Sequence, residues 1–384
     1  MSKRLPKVWP AEAHTKAKIA ILKSYLHAWF RILAMRWRDQ VILYVDGFAG
    51  PGRYTNHEEG SPLAAVAAAQ STIADLGVQF VARGLHCAFI EKDSDRYEIL
   101  KEALGPHLGQ PKLGLSYHHC EFVDGIERVR KEVPGPFRGE GALFIFADPF
   151  GGTGIPFRTF AGCMEGGASE LLVNLDADGI GRIFQADNPK RDEQLTDLFG
   201  DESWRQTLNS GDSLAQLSLK ILNLYKQRLR ALPGVKHLWS FAMRGAQDNI
   251  NYHLVFATKH PLGLEKMKEA MRAIDQTGTY SFSDAHVEQH TLFRDDDETF
   301  YTDRLWQSFQ GRTVSYEEVY LYALDETPFL NGKSMLRALE QQGRVEAKLV
   351  DGVSRKKGDF SEEKIRSLQF AGAGLIPVQG DLFS

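Results

Sequence analysis

The sequence has little cysteine, no long apolar run and no strong excess of charge of one sign. Its 384 residues include three cysteines, Cys87, Cys120 and Cys163, whose separation does not fit a metal-ligand pattern. Buried thiols in a reducing compartment are the simplest interpretation, so we expect a cytoplasmic protein. The first residues lack an apolar core and no run of roughly 18 apolar residues occurs, so we expect neither secretion nor membrane spanning.

Two phosphate-binding signatures are also absent, the dinucleotide fingerprint Gly-x-Gly-x-x-Gly and the phosphate loop ending in Gly-Lys-Ser/Thr. The formal net charge of −4 gives no overall nucleic-acid signature, so any basic binding surface has to be local. Contents of 43% hydrophobic and 25% charged residues are ordinary for a globular protein. The length allows two domains, or one large domain with an appendage.

One stretch, 41–52, is the most informative part of the sequence. Its first five residues form an apolar run suited to a strand buried on both faces of a parallel sheet. An acid and three glycines follow, and glycines there allow a sharp turn and close approach of a ligand to the main chain. A strand, a glycine-rich turn and a helix in succession predict a nucleotide-binding edge. The candidate cofactor-binding residues of this stretch are Asp46, Gly47, Phe48, Gly50 and Gly52.

The spacing Asp46-x-x-x-Gly50-x-Gly52 resembles the first motif of class I S-adenosylmethionine (SAM) methyltransferases, Asp/Glu-x-x-x-Gly-x-Gly. The order Asp-Gly-Phe-Ala-Gly-Pro-Gly is close to that of nucleic-acid-directed members. The resemblance implies SAM as the cofactor. An ordinary tight turn between a strand and a helix is the alternative interpretation.

Acids end two further predicted strands. Glu91 follows the run 85–90, in the place of the acid that accepts ribose hydroxyls in a nucleotide-binding sheet. Glu121 lies near the end of a predicted strand over 115–122 and is a candidate acceptor for the adenine amine, although Cys120 or Asp124 also fits that position. For Glu91, an exposed acid without a ligand is the alternative.

The apolar run 142–147 leads directly into Asp148-Pro149-Phe150, the candidate catalytic residues. They resemble the Asp/Asn-Pro-Pro-Tyr/Phe motif of amino-methyltransferases, although the second proline is missing. In that motif the acid and the neighbouring carbonyl accept hydrogen bonds from an exocyclic amine, and the aromatic ring stacks on the base. The alternative is a strand-end acid that caps the next segment.

Basic residues lie at the start of a helix that the apolar stripe of residues 19–33 predicts over 14–38. Lys16 and Lys18 fall in its first turns, where cations are unfavourable beside a helix N-terminus. Both lysines are therefore candidates for residues that are kept there for a ligand, with Lys18 as a candidate cofactor contact. Lys16 and Arg182 are candidates for phosphate or substrate contact. Solvated side chains are the alternative.

The pattern of strands predicts an α/β fold, a doubly wound and mostly parallel seven-stranded sheet of the Rossmann-like methyltransferase type. The predicted strands end in a hairpin over 237–243 and 251–258, which supplies one antiparallel strand. We predict that residues 1–295 form this domain, with an N-terminal helix and an insertion around 184–212.

From about residue 297 the pattern changes to three short helices, over 300–309, 316–324 and 332–341, followed by a strand–turn–strand. This order predicts a winged helix over 296–365, with a tail at 366–384. The third helix would enter a groove and the basic turn would meet phosphate. A protein-interaction module is the alternative. The candidate nucleic-acid contacts are Lys333, Arg337, Arg344 and Lys356.

Several segments together resemble the three-Cys-motif partner (TcmP) proteins. The matching stretches are His-Thr-Lys-Ala-Lys at 14–18, Tyr25-Leu26-x-x-Trp29, 44–52, 148–151, Asn174 with Arg182, and 252–263. The family resembles class I methyltransferases. Its name implies a partner protein with a three-cysteine motif, such as an iron–sulfur or radical enzyme.

These resemblances imply methyl transfer from SAM, most simply to an amine of a nucleobase in nucleic acid. Two other classes of function remain open. One is a subunit that holds SAM for a partner enzyme without transferring the methyl group itself. The other is a nucleic-acid-binding scaffold. No metal is expected in any of the three.

Overall fold

The chain divides into two compact units, Met1–Thr291 and Leu292–Ser384. The structure is a computed structural model that describes residues 10–56, 58–149, 151, 154–245, 250–275, 281–283 and 298–372. Each unit has its own hydrophobic core.

The helices of the first unit lie on both sides of a central sheet. They are Ala13–Arg36 (α1), Ser61–Leu76 (α2), Ser94–Leu104 (α3), Phe122–Glu132 (α4), Pro134–Phe137 (α5), Phe157–Cys163 (α6), Ala177–Gln185 (α7), Arg191–Phe199 (α8), Trp204–Thr207 (α9), Leu214–Arg230 (α10) and Pro261–Ile274 (α11). Its strands are Val41–Asp46 (β1), Gly84–Glu91 (β2), Leu113–His119 (β3), Gly141–Ala147 (β4), Ala168–Leu175 (β5), His237–Arg244 (β6), Ile250–Thr258 (β7) and Ser281–Ser283 (β8).

The sheet has the strand order β3-β2-β1-β4-β5-β7-β6-β8. Strands β1 to β5 are parallel, and β7 runs antiparallel to both β5 and β6. The predicted doubly wound α/β fold with its antiparallel hairpin strand is therefore confirmed, with β8 as a short eighth strand beside β6. The order reverses between β1 and β4, and in open α/β sheets such a switch point is where ligands bind.

Burial explains why the apolar runs of the sequence form the central strands β1 and β4. β4 is buried along its whole length, and β1 is buried from its second residue to Asp46. Helix ends follow local signals. Asp93 accepts hydrogen bonds from the amides of Asp95 and Arg96 at the start of α3, and Ser213 forms a capping box with Gln216 at α10.

The third strand corrects one expectation. The prediction over 115–122 placed Glu121 on the strand, whereas β3 ends at His119 and Glu121 precedes the first residue of α4, Phe122. The ring of Phe122 is buried in the core, so helix packing sets the boundary here rather than strand propensity.

The predicted insertion around 184–212 contains α8 and α9, which pack into the core of the first unit. Leu195, Phe199 and Trp204 are buried there with the apolar face of α10. The segment is thus more regular than its polar composition indicates.

The second unit consists of three helices and a small sheet. Its elements are Glu298–Phe309 (α12), Thr313–Val314 (β9), Tyr316–Glu326 (α13), Lys333–Gln341 (α14), Val345–Leu349 (β10) and Ile365–Phe370 (β11). The sheet order is β10-β11-β9, and β11 is antiparallel to both neighbours. A tail beginning at residue 366 is therefore wrong for its first residues, because 366–370 form most of the central strand.

Candidate functional site

A cleft of about 230 Å³ lies at the carboxyl ends of the parallel strands, at the switch point between β1 and β4. Small-molecule pockets usually measure about 300–1,000 Å³, so a nucleoside-sized ligand would extend beyond it along the strand ends. The residues that line it are Thr15, Lys18, Ile19, Phe48, Ala49, Gly50, Pro51, Gly52, Arg53, Tyr54, Gly60, Ser61, Asp148, Pro149, Gly151, Asn174, Asp176, Asn251 and Tyr252.

The glycine turn after β1 forms one wall of this cleft. Gly50 and Gly52 have φ of +62° and +77°, values that side chains larger than glycine rarely adopt. A Cβ added at Gly50 would meet no atom within 4 Å, so this position faces open space. Gly50 therefore leaves space for a molecule in the cleft to approach the main chain at this position.

Glu91 fixes the turn from behind. Its buried carboxylate accepts hydrogen bonds from the amide of Gly50 at 2.9 Å and from that of Asp93 at 2.7 Å. Glu91 is not among the residues that line the cleft. It connects the glycine turn to the start of α3, a structural role that the sequence prediction did not include.

Gly47 and Phe48 pack against α4, and Gly47 is not among the residues that line the cleft. The amide of Gly47 donates to the carbonyl of Phe146 at 2.9 Å, and a Cβ on Gly47 would approach the ring of Phe122 to 2.6 Å. Phe48 stacks on the same ring at 5.3 Å between centroids and also lines the cleft. Close packing thus explains the glycine at position 47.

Asp46 lies beneath the turn and is fully buried. It accepts a hydrogen bond from the amide of Phe48 at 3.2 Å and one from Tyr44 at 3.5 Å. Burial raises the pKa of Asp46 to about 7, and hydrogen bonds from Ser61 and Phe48 oppose this rise in pKa only in part. Asp46 is not among the lining residues, but its partner Ser61 is.

Asp148 lies in the cleft with both carboxylate oxygens occupied. Lys18 of α1 forms an ion pair with one oxygen, and the amide nitrogen of Asn174, on β5, donates to the other. Lys18 is nearly buried, with 8% of its side chain exposed, and its ammonium lies 5.2 Å from the ring centre of Tyr252. An ion pair therefore stabilises the lysine that the sequence places unfavourably in the first turns of α1.

Of the other two candidate catalytic residues, Pro149 and Phe150, the structure describes only Pro149. Pro149 lines the cleft beside Asp148. Phe150 lies outside the described residues.

The segments 53–56 and 58–59 continue the wall that the glycine turn begins and form a short hairpin. Arg53 and Glu59 form an antiparallel bridge, and Tyr54 lines the cleft. Three contacts attach this hairpin to the first helix and the residues just before it. They are Lys16 to Glu58 at 2.6 Å, Lys23 to Glu59 at 2.9 Å, and the amide of Ala11 to Asn56 at 3.2 Å.

Three predicted contact residues lie away from the cleft lining. Lys16 is half-exposed in its pair with Glu58, and Arg182 is exposed on α7. Glu121 is exposed and lies 3.6 Å from Lys92. None of the three lines the cleft.

The basic residues of the second unit divide into exposed and paired ones. Lys333 and Arg337 are exposed on α14, four residues apart and so on one face, and Lys356 is exposed in the connection from β10 to β11. Arg344 pairs with Asp303 at 2.7 Å and lies over the ring of Trp306.

Several cleft residues were not predicted from the sequence. Tyr54, Ser61 and Asn251 line it, and Asn174 and Tyr252, which also line it, were singled out only through the resemblance. Tyr252 is 234 residues from Lys18, and a spacing within a short stretch of sequence cannot predict such a contact.

Among the described residues, no group of three or more His, Cys, Asp or Glu side chains is placed to hold a metal ion. Among the helices that the structure describes, none combines the length and apolar character that a bilayer crossing requires.

No protein-family model matches the chain, and no curated protein matches its sequence. Solved structures with a similar arrangement include Trm1 from Pyrococcus horikoshii with S-adenosyl-L-methionine, at 11% identity over 94% of each chain and a TM-score of 0.36. The O-methyltransferase from Bacillus cereus in complex with SAH has 10% identity, with 62% of this chain and 80% of that chain covered and a TM-score of 0.34. The O-methyltransferase TomG from Streptomyces achromogenes, in complex with SAM, has 14% identity over 66% of this chain and 92% of that chain, with a TM-score of 0.33. At identities and TM-scores this low, the matches carry no weight for what this chain binds or does.

Proposed function

We propose that the chain is a SAM-dependent methyltransferase whose acceptor is an amine of a nucleobase. One observation carries the proposal: the glycine turn and Asp148 face the same cleft, at the switch point of a mostly parallel sheet. This arrangement brings a candidate cofactor wall and a candidate acceptor for an amine hydrogen to one place.

The residues present fit the proposed cofactor in two respects. The open space in front of Gly50 leaves room for a ligand against the main chain. Glu91 fixes that main chain from behind, and in this proposal its remaining lone pairs accept ribose hydroxyls only where the ligand extends beyond the cleft lining. In this proposal Asp46 acts indirectly, through Phe48 and Ser61, and Glu121 reaches the adenine only if it leaves Lys92.

The cofactor would supply an activated methyl group, so the protein mainly has to bind, orient and exclude water. Asp148 would accept a hydrogen bond from the target amine. This hydrogen bond would orient the amine so that the lone pair of the amine nitrogen points toward the methyl group. Pro149 would supply the wall beside it, and Phe150 would stack on the base. A base taken from a duplex would first have to be flipped out.

The second unit supports a nucleic-acid substrate. Its order of helix, strand, helix, helix and two strands supports the proposal of a winged helix, a fold that often binds DNA or RNA. Lys333 and Arg337 share an exposed face of α14, and Lys356 is a further exposed cation in the connection from β10 to β11. In the first unit, Lys16 and Arg182 would meet phosphate outside the cleft.

An alternative is a subunit that holds SAM for a three-Cys-motif partner without its own methyl transfer, in the same cytoplasmic compartment. A specific observation favours it: Lys18 and Asn174 already occupy both oxygens of Asp148. A carboxylate can accept about four hydrogen bonds, so the pairing reduces the availability of Asp148 without removing it.

Calorimetric titration with SAM, followed by labelled methyl transfer on the same preparation, distinguishes the two candidates. The proposed enzyme binds one equivalent and transfers label to nucleic acid. The holding subunit binds but transfers label only when its partner is added. Absence of binding would contradict both.

A further inference from the structure

A second and larger cavity, of about 300 Å³, lies at the opposite edge of the sheet from the cleft. It is bounded by the second half of α1, the amino end of β5, the carboxyl end of β7 and the start of α11. Lys18 and Arg36 belong to the cleft and the cavity respectively, and they are about 27 Å apart along α1 at 1.5 Å per residue. The two sites are therefore separate.

The floor of this cavity is buried and polar. Glu170 accepts hydrogen bonds there from the hydroxyls of Tyr25 and Thr258. A Cβ on Gly263, in the first turn of α11, would approach the Glu170 carboxylate to 2.3 Å. Burial raises the pKa of Glu170, and the hydrogen bonds from Thr258 and Tyr25 oppose that rise in pKa. The positive end of α11 beside the carboxylate acts in the same direction as these hydrogen bonds.

The walls are apolar and, apart from the buried Trp29, partly exposed. They consist of Trp29, Ile32, Leu33, Trp37 and Leu262. Such a wall provides space for a hydrophobic body of up to about three rings, a size that a cavity at the low end of about 300–1,000 Å³ accepts.

Three cations line the cavity, Arg36, Lys259 and Lys266. Lys266 pairs with Glu265 and Glu269, and Lys259 donates to the carbonyls of Met164 and Gly166. Arg36 is exposed and has no ion-pair partner in the described ranges. Burial lowers the pKa of His260, and the nearby Arg36 lowers it further, which indicates a positive field at the mouth. An anionic group is therefore favoured at the mouth and disfavoured at the Glu170 floor.

We propose that this cavity is a second binding site, for a small amphiphilic anion. Its ring-sized apolar body lies against Trp29, Leu33 and Leu262, and its carboxylate or similar anionic group pairs with Arg36. The proposal is independent of what the cleft binds.

Two fluorescent probes with the same ring system test the inference: anilinonaphthalene sulfonate, which is anionic, and phenylnaphthylamine, which is neutral. We expect one equivalent of the sulfonate to bind the wild-type protein. Arg36→Glu should weaken its binding about fivefold or more, because an attraction becomes a repulsion, and change binding of the neutral probe by less than about twofold. Arg36→Gln should give a smaller loss in the same direction.

Matched variants separate the site from general effects. Arg31→Glu changes another exposed arginine of α1 that does not line the cavity, and should leave both probes unaffected. Leu262→Trp fills the cavity and should weaken both probes, whereas Gly50→Val, in the cleft, should weaken neither. Melting curves confirm that each variant is folded. Failure of the sulfonate to bind, equal losses in Arg31→Glu and Arg36→Glu, or unchanged binding in folded Leu262→Trp would overturn the proposal.

Discussion

At the scale of single residues, Asp46 couples protonation to folding. Its pKa rises from 3.8 to about 7 on burial, so the folded state keeps a proton that the unfolded state releases above about pH 4. The stabilising contribution of this proton is complete below about pH 4 and is lost as pH rises through about 7. Wild-type stability should therefore decline across this window.

The variant Asp46→Asn, which keeps the shape and removes the titration, should flatten that decline. We expect the wild-type protein to lose a few kcal/mol, up to about 4, relative to the variant between about pH 4 and pH 8. Urea unfolding at a series of pH values measures the difference. Asp187→Asn, at an exposed position, is the control. Parallel curves for the wild type and Asp46→Asn would show that Asp46 does not titrate in this range.

The ion pair between Lys18 and Asp148 predicts a coupled loss of stability. Asp148→Asn leaves a nearly buried ammonium without its counter-charge, which should cost about 1–3 kcal/mol. The double variant Lys18→Met with Asp148→Asn should recover part of that loss. A double-mutant cycle of unfolding free energies should give a coupling of at least about 0.5 kcal/mol. Strictly additive losses would mean that the pair contributes little.

At the scale of elements, the glycine turn offers a matched comparison. Gly50→Val and Gly109→Val both place a β-branched residue at positive φ, and at neither position would a Cβ contact another atom. Only Gly50 lies in the cleft. Both variants should lose similar stability, on the order of 1–3 kcal/mol, whereas only Gly50→Val should lose SAM binding. Calorimetric titration measures the SAM affinity of both variants. Equal affinities would show that the glycine turn does not take part in SAM binding.

The buried strands and the turn could be predicted because their signals are local. Apolar runs ending at Asp46 and Ala147 specify β1 and β4, and closely spaced glycines specify the turn. The end of β3 was wrong because the burial of Phe122 in α4 outweighs its strand propensity. The hydrogen-bond partners of Asp148 could not be predicted from the neighbouring sequence, because Lys18 lies 130 residues away in the chain.

At the scale of the whole molecule, the division into two units predicts that cofactor binding and nucleic-acid binding can be separated by removing the second unit. A chain ending at Thr291 retains the complete cleft and lacks the second unit. We expect it to keep SAM affinity within about threefold and to lose nucleic-acid affinity that falls with salt, because cations that neutralise phosphates release counterions. Fluorescence anisotropy with labelled RNA and DNA at several salt concentrations measures this. Full salt-dependent binding by the shortened chain would make the second unit an interaction or structural module instead.

The central claim is that the cleft transfers a methyl group from SAM. Labelled methyl transfer to RNA, DNA and protein, assayed in parallel with the wild type, Gly50→Val and Gly109→Val, tests it most directly. The account predicts label in a nucleic acid with the wild type and with Gly109→Val, and none with Gly50→Val. Wild-type protein that binds SAM yet labels no nucleic acid, or equal labelling by Gly50→Val, would contradict it.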